Sequence, residues 1–408
     1  MNRDYSNYAK LIIKQGINLK KGELLAIASP VLAAPLAEAV AEEAYKNGAS
    51  KVVMFWSDEK LSRLAFEYSE EKDLLEVPDY VVASRDYVLE NNGAYVCISS
   101  DVPGIYDGIN AKLVAERGKA MNKALHRFRE STSINKTRWC LVAYPNVKWA
   151  EKMFPGLKGE EAEQKQWEYM EKTLRLDEKD FLAAWDKHQE NLQRRSKFLN
   201  DAKIVKFHYK NSIGTDFTIG MPKNYIFTGA GEKSADGVMF TANMPTEEVF
   251  ASPDCRTAEG TLVAAMPLVR NGVIMENFSI TFEKGRVVDF KAEKGYEALK
   301  EIIETDEGSH RLGEIALIGY DSPIRKLNAL FYMTLFDENQ SCHFALGRAF
   351  PTCVEGGEKM TKEQQSEVGL NTSLTHVDFM VGTPDLDITA YTEDGKELEI
   401  FRNGNWVI

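Results

Sequence analysis

Cysteine is scarce in this chain of 408 residues: Cys97, Cys140, Cys255, Cys342 and Cys353 are the five present. None forms a Cys-x-x-Cys pair and the number is odd, so a disulfide framework is not expected and a reducing cytoplasm fits best. Long apolar runs are missing too. The stretch from Leu24 to Ala37 is too short to span a bilayer and contains Pro30 and Pro35. The opening Met-Asn-Arg-Asp-Tyr is charged and leads into a helix-like pattern, not an apolar signal core. Positive charge is in deficit. With 50 Lys and Arg against 62 Asp and Glu the formal net charge is −12, which argues against non-specific binding to nucleic acid or an anionic membrane and mildly favours cationic ligands. There is no Walker A sequence, no H-E-x-x-H and no G-x-S-x-G. Gly229-Ala230-Gly231 follows a Tyr-Ile-Phe-Thr run, but neither a helix pattern nor a third glycine follows, so a dinucleotide loop is not expected.

What is present reads as an ordinary folded protein, 44 % hydrophobic and 27 % charged. The length exceeds what one core usually serves, so two domains are expected, 1–200 and 201–408. The first half alternates strand-like and helix-like segments. Glu23–Ser29, Ala49–Trp56, Ala94–Ser99 and Trp139–Ala143 are apolar, β-branched or aromatic runs. Pro30–Lys46, Lys60–Tyr68 and Ile109–Glu130 are helical. Near-continuous apolar strands alternating with helices indicate an α/β domain with a parallel sheet. Residues 155–199 are rich in Glu, Lys, Gln and Arg. Their apolar positions (Trp167, Met170, Leu174; Phe181, Trp185, Leu192, Phe198) recur at helical spacing. From about 203 the period switches to two, with Asn271-Gly272 and Asn403-Gly404 as turn signals, so the second domain is expected to be α+β and strand-rich.

The second half carries four motifs with chemistry in them: Pro-Thr-Glu-Glu-Val-Phe (245–250), Leu-Gly-Glu-Ile-Ala (312–316), Asp-Glu-Asn-Gln-Ser-Cys-His-Phe-Ala-Leu-Gly (337–347) and Thr-His-Val-Asp (375–378). In a strand, His376 and Asp378 point to one face and can aim an imidazole and a carboxylate at a common point; a plain exposed edge would show the same pattern. Asp337–His343 lies between two apolar runs, as a loop carrying two acids and a histidine. Cys342 beside His343 is a poor nucleophile–base pair, because adjacent residues rarely reach hydrogen-bond geometry. Glu247-Glu248, if extended, sends one carboxylate inward and one outward, and the residues alone do not choose. Glu314 stands alone in an apolar run, where a buried carboxylate needs a compensating cation. Carboxylates and imidazoles in this number suit a pair of divalent ions, which make a hydroxide nucleophile from water at neutral pH. His126, His188, His208 and His310 sit in charged or amphipathic contexts and read as surface or partly buried histidines.

These motifs, in this order, resemble the thermophilic-type metallo-aminopeptidases: aminopeptidase T, aminopeptidase S and PepS. The likeness runs through Asn243-Met-Pro-Thr-Glu-Glu-Val-Phe, the Leu-Gly-Glu run, Glu-Asn-Gln-Ser-Cys-His-Phe-Ala-Leu-Gly and His-Val-Asp, and extends to the Asp-Tyr-x-x-Tyr-Ala-Lys-Leu-Ile-Ile opening. The resemblance implies a homodimer acting on peptides through two divalent ions (zinc, cobalt, manganese or magnesium). It implies Glu248, Glu314, His343, His376 and Asp378 as ligands and Glu338 as a further site acid, taken here as the catalytic carboxylate. It also implies a first domain that shapes the substrate pocket and the dimer. One position departs from the pattern. Where the family commonly runs Ala-Leu-Gly-x-x-Tyr, this chain has Phe350, which motivates a second reading: a weakly active or inactive homologue that binds peptide or metal. A third class, a non-metallo small-molecule enzyme sited in the first half, lacks any glycine fingerprint there.

Overall fold

The computed structural model describes residues 3–270 and 273–408; the expected Asn271-Gly272 turn lies outside the described residues. The chain forms two compact units. One takes in the residues up to Trp185 together with Gly231–Met244, and the other holds Asp186–Ala230 and Pro245–Ile408.

In the first unit, strands β1 (Leu24–Pro30), β2 (Lys51–Ser57), β3 (Ala94–Ser99) and β4 (Trp139–Ala143) make a parallel sheet in the order β2-β1-β3-β4. The interior strand β1 is apolar along its length and nearly all buried, as a parallel strand covered on both faces requires. Helices fall at Ala34–Lys46 and Glu59–Tyr68, where the spacing puts them. Asp58 caps the second of these by accepting from the backbone N–H groups of Lys60 and Leu61. The helix expected over Ile109–Glu130 is two, Ala111–Ala124 and His126–Ser133, meeting at Leu125. Asp79–Glu90 is also helical. Its apolar stripe is faint because Val88 is its one buried side chain. The helix Gly159–Thr173 buries Ala162, Trp167, Met170 and Thr173. Gly231–Met244 returns to this unit beside β4, with Leu141 N donating to Ala242 O (2.7 Å) and Met244 N to Leu141 O (3.0 Å).

The second unit contains two large antiparallel sheets. The nine-stranded one runs Leu268–Arg270, Val273–Glu283, Glu259–Val263, Asp216–Gly220, Ile204–Lys210, Asp387–Thr392, Glu397–Arg402 and Asn405–Trp406, with Arg286–Lys294 also paired to Val273–Glu283. The five-stranded one contains β5 (Thr228–Gly229), β6 (Val249–Ala251), β7 (Leu312–Leu317), β8 (His343–Gly347) and β9 (His376–Met380), in the order β9-β8-β7-β6-β5. The sheets share one core. Phe344 of β8 meets Tyr209 edge-on at 5.0 Å and Phe217 at 5.3 Å, and Phe379 of β9 meets Phe278 at 5.8 Å. Leu192 and Leu199 from the long helix Phe181–Asp201 enter the same core, while Phe198, grouped with them by spacing, is exposed.

Candidate metal centre

Alternation along three strands decides what faces the centre. Ile315 and Leu317 of β7, Phe344 and Leu346 of β8, and Val377 and Phe379 of β9 go to the core. The intervening residues therefore share the opposite face. There, Glu314 pairs in register with Ala345, and Ala345 with Asp378, so two carboxylates flank a methyl group across three strands. His376 pairs with Gly347, and Ala316 with His343. Gly347 has φ 105°, and a Cβ there would meet Thr375 O at 2.2 Å, so glycine is the residue that fits. On β6, Val249 packs into the core, which sends Glu248 and Phe250 toward the centre.

The ligand atoms converge. Those of Glu248, Glu314 and His343 all lie within 4.8 Å of one another, and so do those of Glu314, His376 and Asp378. Glu314 belongs to both groups. His376 Nε2 is 2.9 Å from Glu314 Oε2 and 3.2 Å from Asp378 Oδ1, and His343 Nε2 is 3.5 Å from Glu248 Oε2. Each imidazole turns its other nitrogen to the backbone: Nδ1 of His376 donates to Arg348 O at 2.7 Å, and Nδ1 of His343 lies 3.4 Å from Ser341 O. Second partners of this kind fix the ring tautomer and leave Nε2 for a metal.

Charge is crowded here. Burial pushes the Glu338 carboxyl well above the usual carboxylate range, and the charges of Asp378, Glu248 and Glu314 push it further. Asp378 moves the other way. Burial opposes its charge, but the His376 imidazolium beside it holds the carboxylate low. Burial likewise works against a charged His376, and Asp378 and Glu314 more than offset it. One observation tests whether a cation fits: Asp378 Oδ1 is buried and meets no donor in hydrogen-bond geometry. A buried carboxylate oxygen whose near neighbour is the His376 ring, without hydrogen-bond geometry to it, sits among oxygen and imidazole donors that suit a divalent ion.

Both Glu247 and Glu248 are buried, not one in and one out. Glu247 lies 3.9 Å from His188, whose Nε2 donates to Thr246 O at 2.8 Å. His188, expected among the surface or partly buried histidines, is partly buried and braces the segment ahead of Glu248. The segment expected as a loop, Asp337–His343, starts at the end of a short helix, Thr334–Asp337, runs through a 3-10 turn, Glu338–Gln340, and ends at the first residue of β8; the helix and turn are largely buried. Its backbone is held by polar side chains. Asp337 accepts from Phe331 N (2.8 Å), Met333 N (3.1 Å) and Gln340 Nε2 (2.9 Å). Burial lifts its carboxyl to about 7 against the pull of those donors. Asn339 accepts from Glu247 N at 2.7 Å and donates to Leu335 O at 3.1 Å and Glu338 Oε1 at 3.5 Å, tying the segment of Glu248 to that of Glu338. Asn339 and Arg270, which donates to Thr375 Oγ1 at 3.0 Å, were not singled out in the sequence, because Glu247 N and Thr375 Oγ1 lie about a hundred positions away from them.

Residues 1–406 match the family model described as thermophilic metalloprotease (M29). The chain belongs to that family. It is 41 % identical over 401 residues to aminopeptidase AmpS of Bacillus subtilis (strain 168), covering 98 % of each chain. It is 39 % identical over 409 residues to aminopeptidase 2 of Geobacillus stearothermophilus, covering 100 % of this chain and 99 % of that one. Among solved structures it superposes on wild-type AmpT from Thermus thermophilus with a TM-score of 0.91 at 33 % identity, over 99 % and 98 % of the two chains. This M29 protein is thus a metal-dependent aminopeptidase, and nothing in these likenesses favours the reading as an inactive binding homologue. Phe350 sits at its centre: the ring is edge-on to His376 at 4.9 Å and to Phe250 at 5.5 Å, and its N–H donates to Ser252 Oγ at 2.9 Å. Among the described residues, no helix is long and apolar enough to cross a membrane.

Proposed function

We propose that this aminopeptidase holds two divalent cations through Glu248, Glu314, His343, His376 and Asp378, with Glu314 shared between them and Glu338 as the proton-transferring acid. The observation that carries this is the pair of converging ligand groups with one glutamate in common. Zinc, cobalt and manganese suit the mixed nitrogen and oxygen donors better than magnesium, which favours oxygen ligands alone. Two such ions supply Lewis acidity at the scissile carbonyl and lower the pKa of the attacking water so that hydroxide is available near neutral pH.

The chain's own residues do the rest. Glu338, a carboxyl close to Asp378, Glu248 and Glu314, takes a proton from the attacking water and returns it to the leaving amine. The substrate's free α-ammonium is drawn to the same carboxylate-rich pocket, which favours cleavage at the N-terminus of a peptide. Arg348 O and Ser341 O orient the imidazoles, and the Phe350 ring holds His376 from the side. The family resemblance further implies that residues 1–200 shape the substrate pocket and a homodimer interface and that residues 201–408 carry the catalytic centre; the compact units themselves divide at Trp185, with Gly231–Met244 grouped with the first. The dimer follows from the family resemblance, the division from the change of sequence period near residue 200, and a cytoplasmic location from the five free cysteines.

Metal content measured by plasma mass spectrometry alongside hydrolysis of aminoacyl-p-nitroanilides tests the proposal. Two equivalents per chain, both lost with activity on chelation and restored together, are expected. Full activity with one equivalent or none refutes it.

A further inference from the structure

A cavity of about 510 Å³ opens in the second unit with none of the clustered acids in its wall, which is formed by Ile213, Val263, Phe278, Ser279, Tyr320 and Arg325 among others. Arg325 is the one charged residue in that wall. Its guanidinium donates to Tyr320 Oη at 2.8 Å and reaches Gln340 Oε1 at 3.5 Å and Met266 Sδ at 3.7 Å, and it lies 4.9 Å from the Tyr320 ring centre. All these partners are neutral, and among the described residues no ion pair to Arg325 is formed. In a chain with net charge −12, a half-buried arginine left without an acid is a cation awaiting one.

We propose that this cavity binds the free carboxylate of an amino acid or short peptide, with Arg325 as the anchoring cation. One cation matches one carboxylate, which the planar guanidinium takes through two parallel hydrogen bonds. A phosphate or polyanion would call for more positive charge than the wall offers. The apolar walls of Ile213, Val263 and Phe278 suit a side chain or peptide backbone, and Ser279 adds a hydroxyl. The volume falls at the lower end of the range for small-molecule sites, about 300–1,000 Å³. The ligand class rests on the aminopeptidase reading, since peptide hydrolysis releases a free amino acid and a shortened peptide that both bear this group. The site itself rests on the cavity alone.

The test uses the full metal-loaded enzyme with leucine hydroxamate occupying the metal centre, so that binding there is silent. Titration calorimetry with N-acetyl-leucine and with N-acetyl-leucinamide then reads the cavity. The acid is expected to bind at least about tenfold more tightly than the amide. Arg325→Gln should bring the acid down to the amide's level while aminoacyl-p-nitroanilide hydrolysis and metal content stay unchanged. Should Arg325→Gln fold poorly, Ser279→Ala is expected to weaken the acid severalfold. Equal binding of acid and amide, acid binding unmoved by these substitutions, or no heat at millimolar ligand overturns the proposal. Metal content and turnover report separately on the catalytic reading.

Discussion

Under the proposed two-metal centre, Glu314 is the residue whose loss should cost most, because both candidate groups of donor atoms include it. Glu314→Gln keeps the shape of the side chain and removes the charge that a shared ligand must supply. Activity should fall by more than the roughly 10–100-fold typical of a group one step removed from a metal, and bound metal should fall with it. A variant that keeps two equivalents of metal and near-normal turnover would remove Glu314 from the centre. Asn339 is such a group one step removed. It holds Glu247 N and Glu338 Oε1 with the two ends of one amide. Asn339→Ala should weaken metal affinity or kcat by about 10–100-fold while leaving KM little changed, since Asn339 positions Glu338 and the Glu248 segment without contacting peptide. A rise in KM alone would place Asn339 in substrate binding instead.

At the level of elements, the centre exists because β7, β8 and β9 alternate core and site residues and keep a small side chain in the middle row. Ala345→Leu should test this. The added bulk would fill the gap between Glu314 and Asp378, so metal affinity should collapse, while stability falls only by the 1–3 kcal/mol or so of an overpacked position. Retained metal would show that the ligands converge elsewhere. The same alternation explains what could be read beforehand. His376 and Asp378 declare a shared face by their spacing, and the four parallel strands declare themselves as apolar runs. Glu248 could not be told from Glu247, because the register of a three-residue strand is set by Val249 entering a core built from distant segments. The turn at 337–340 looked like part of a loop because its polar residues satisfy backbone groups, so burial left no apolar period to see. Gly231–Met244 gave no sign of belonging with β4, since that pairing joins residues a hundred positions apart.

At the scale of the whole molecule, metal and proton compete for the same acids, and this fixes how stability should vary with pH. In the metal-free protein, Glu338 and Asp337 hold protons that an unfolded chain would release above about 4. A raised carboxyl contributes stability that is complete below its unfolded value and is lost as pH climbs through its folded value. His376, also raised, has the same sign, its contribution fading as pH rises above the ordinary histidine range. Asp378 has the opposite sign, but its window lies below about pH 4, where an ordinary aspartate titrates. Metal-free protein should therefore lose stability from pH 5.5 to 8.5. With metal the ligands must be deprotonated, so binding and the stability it confers grow over that same interval. Thermal unfolding with and without a chelator should show a small gap in Tm at pH 5.5 that widens steadily toward pH 8.5. A gap that stays constant, or narrows as pH rises, would mean that the clustered carboxylates do not bind the ions on which stability depends.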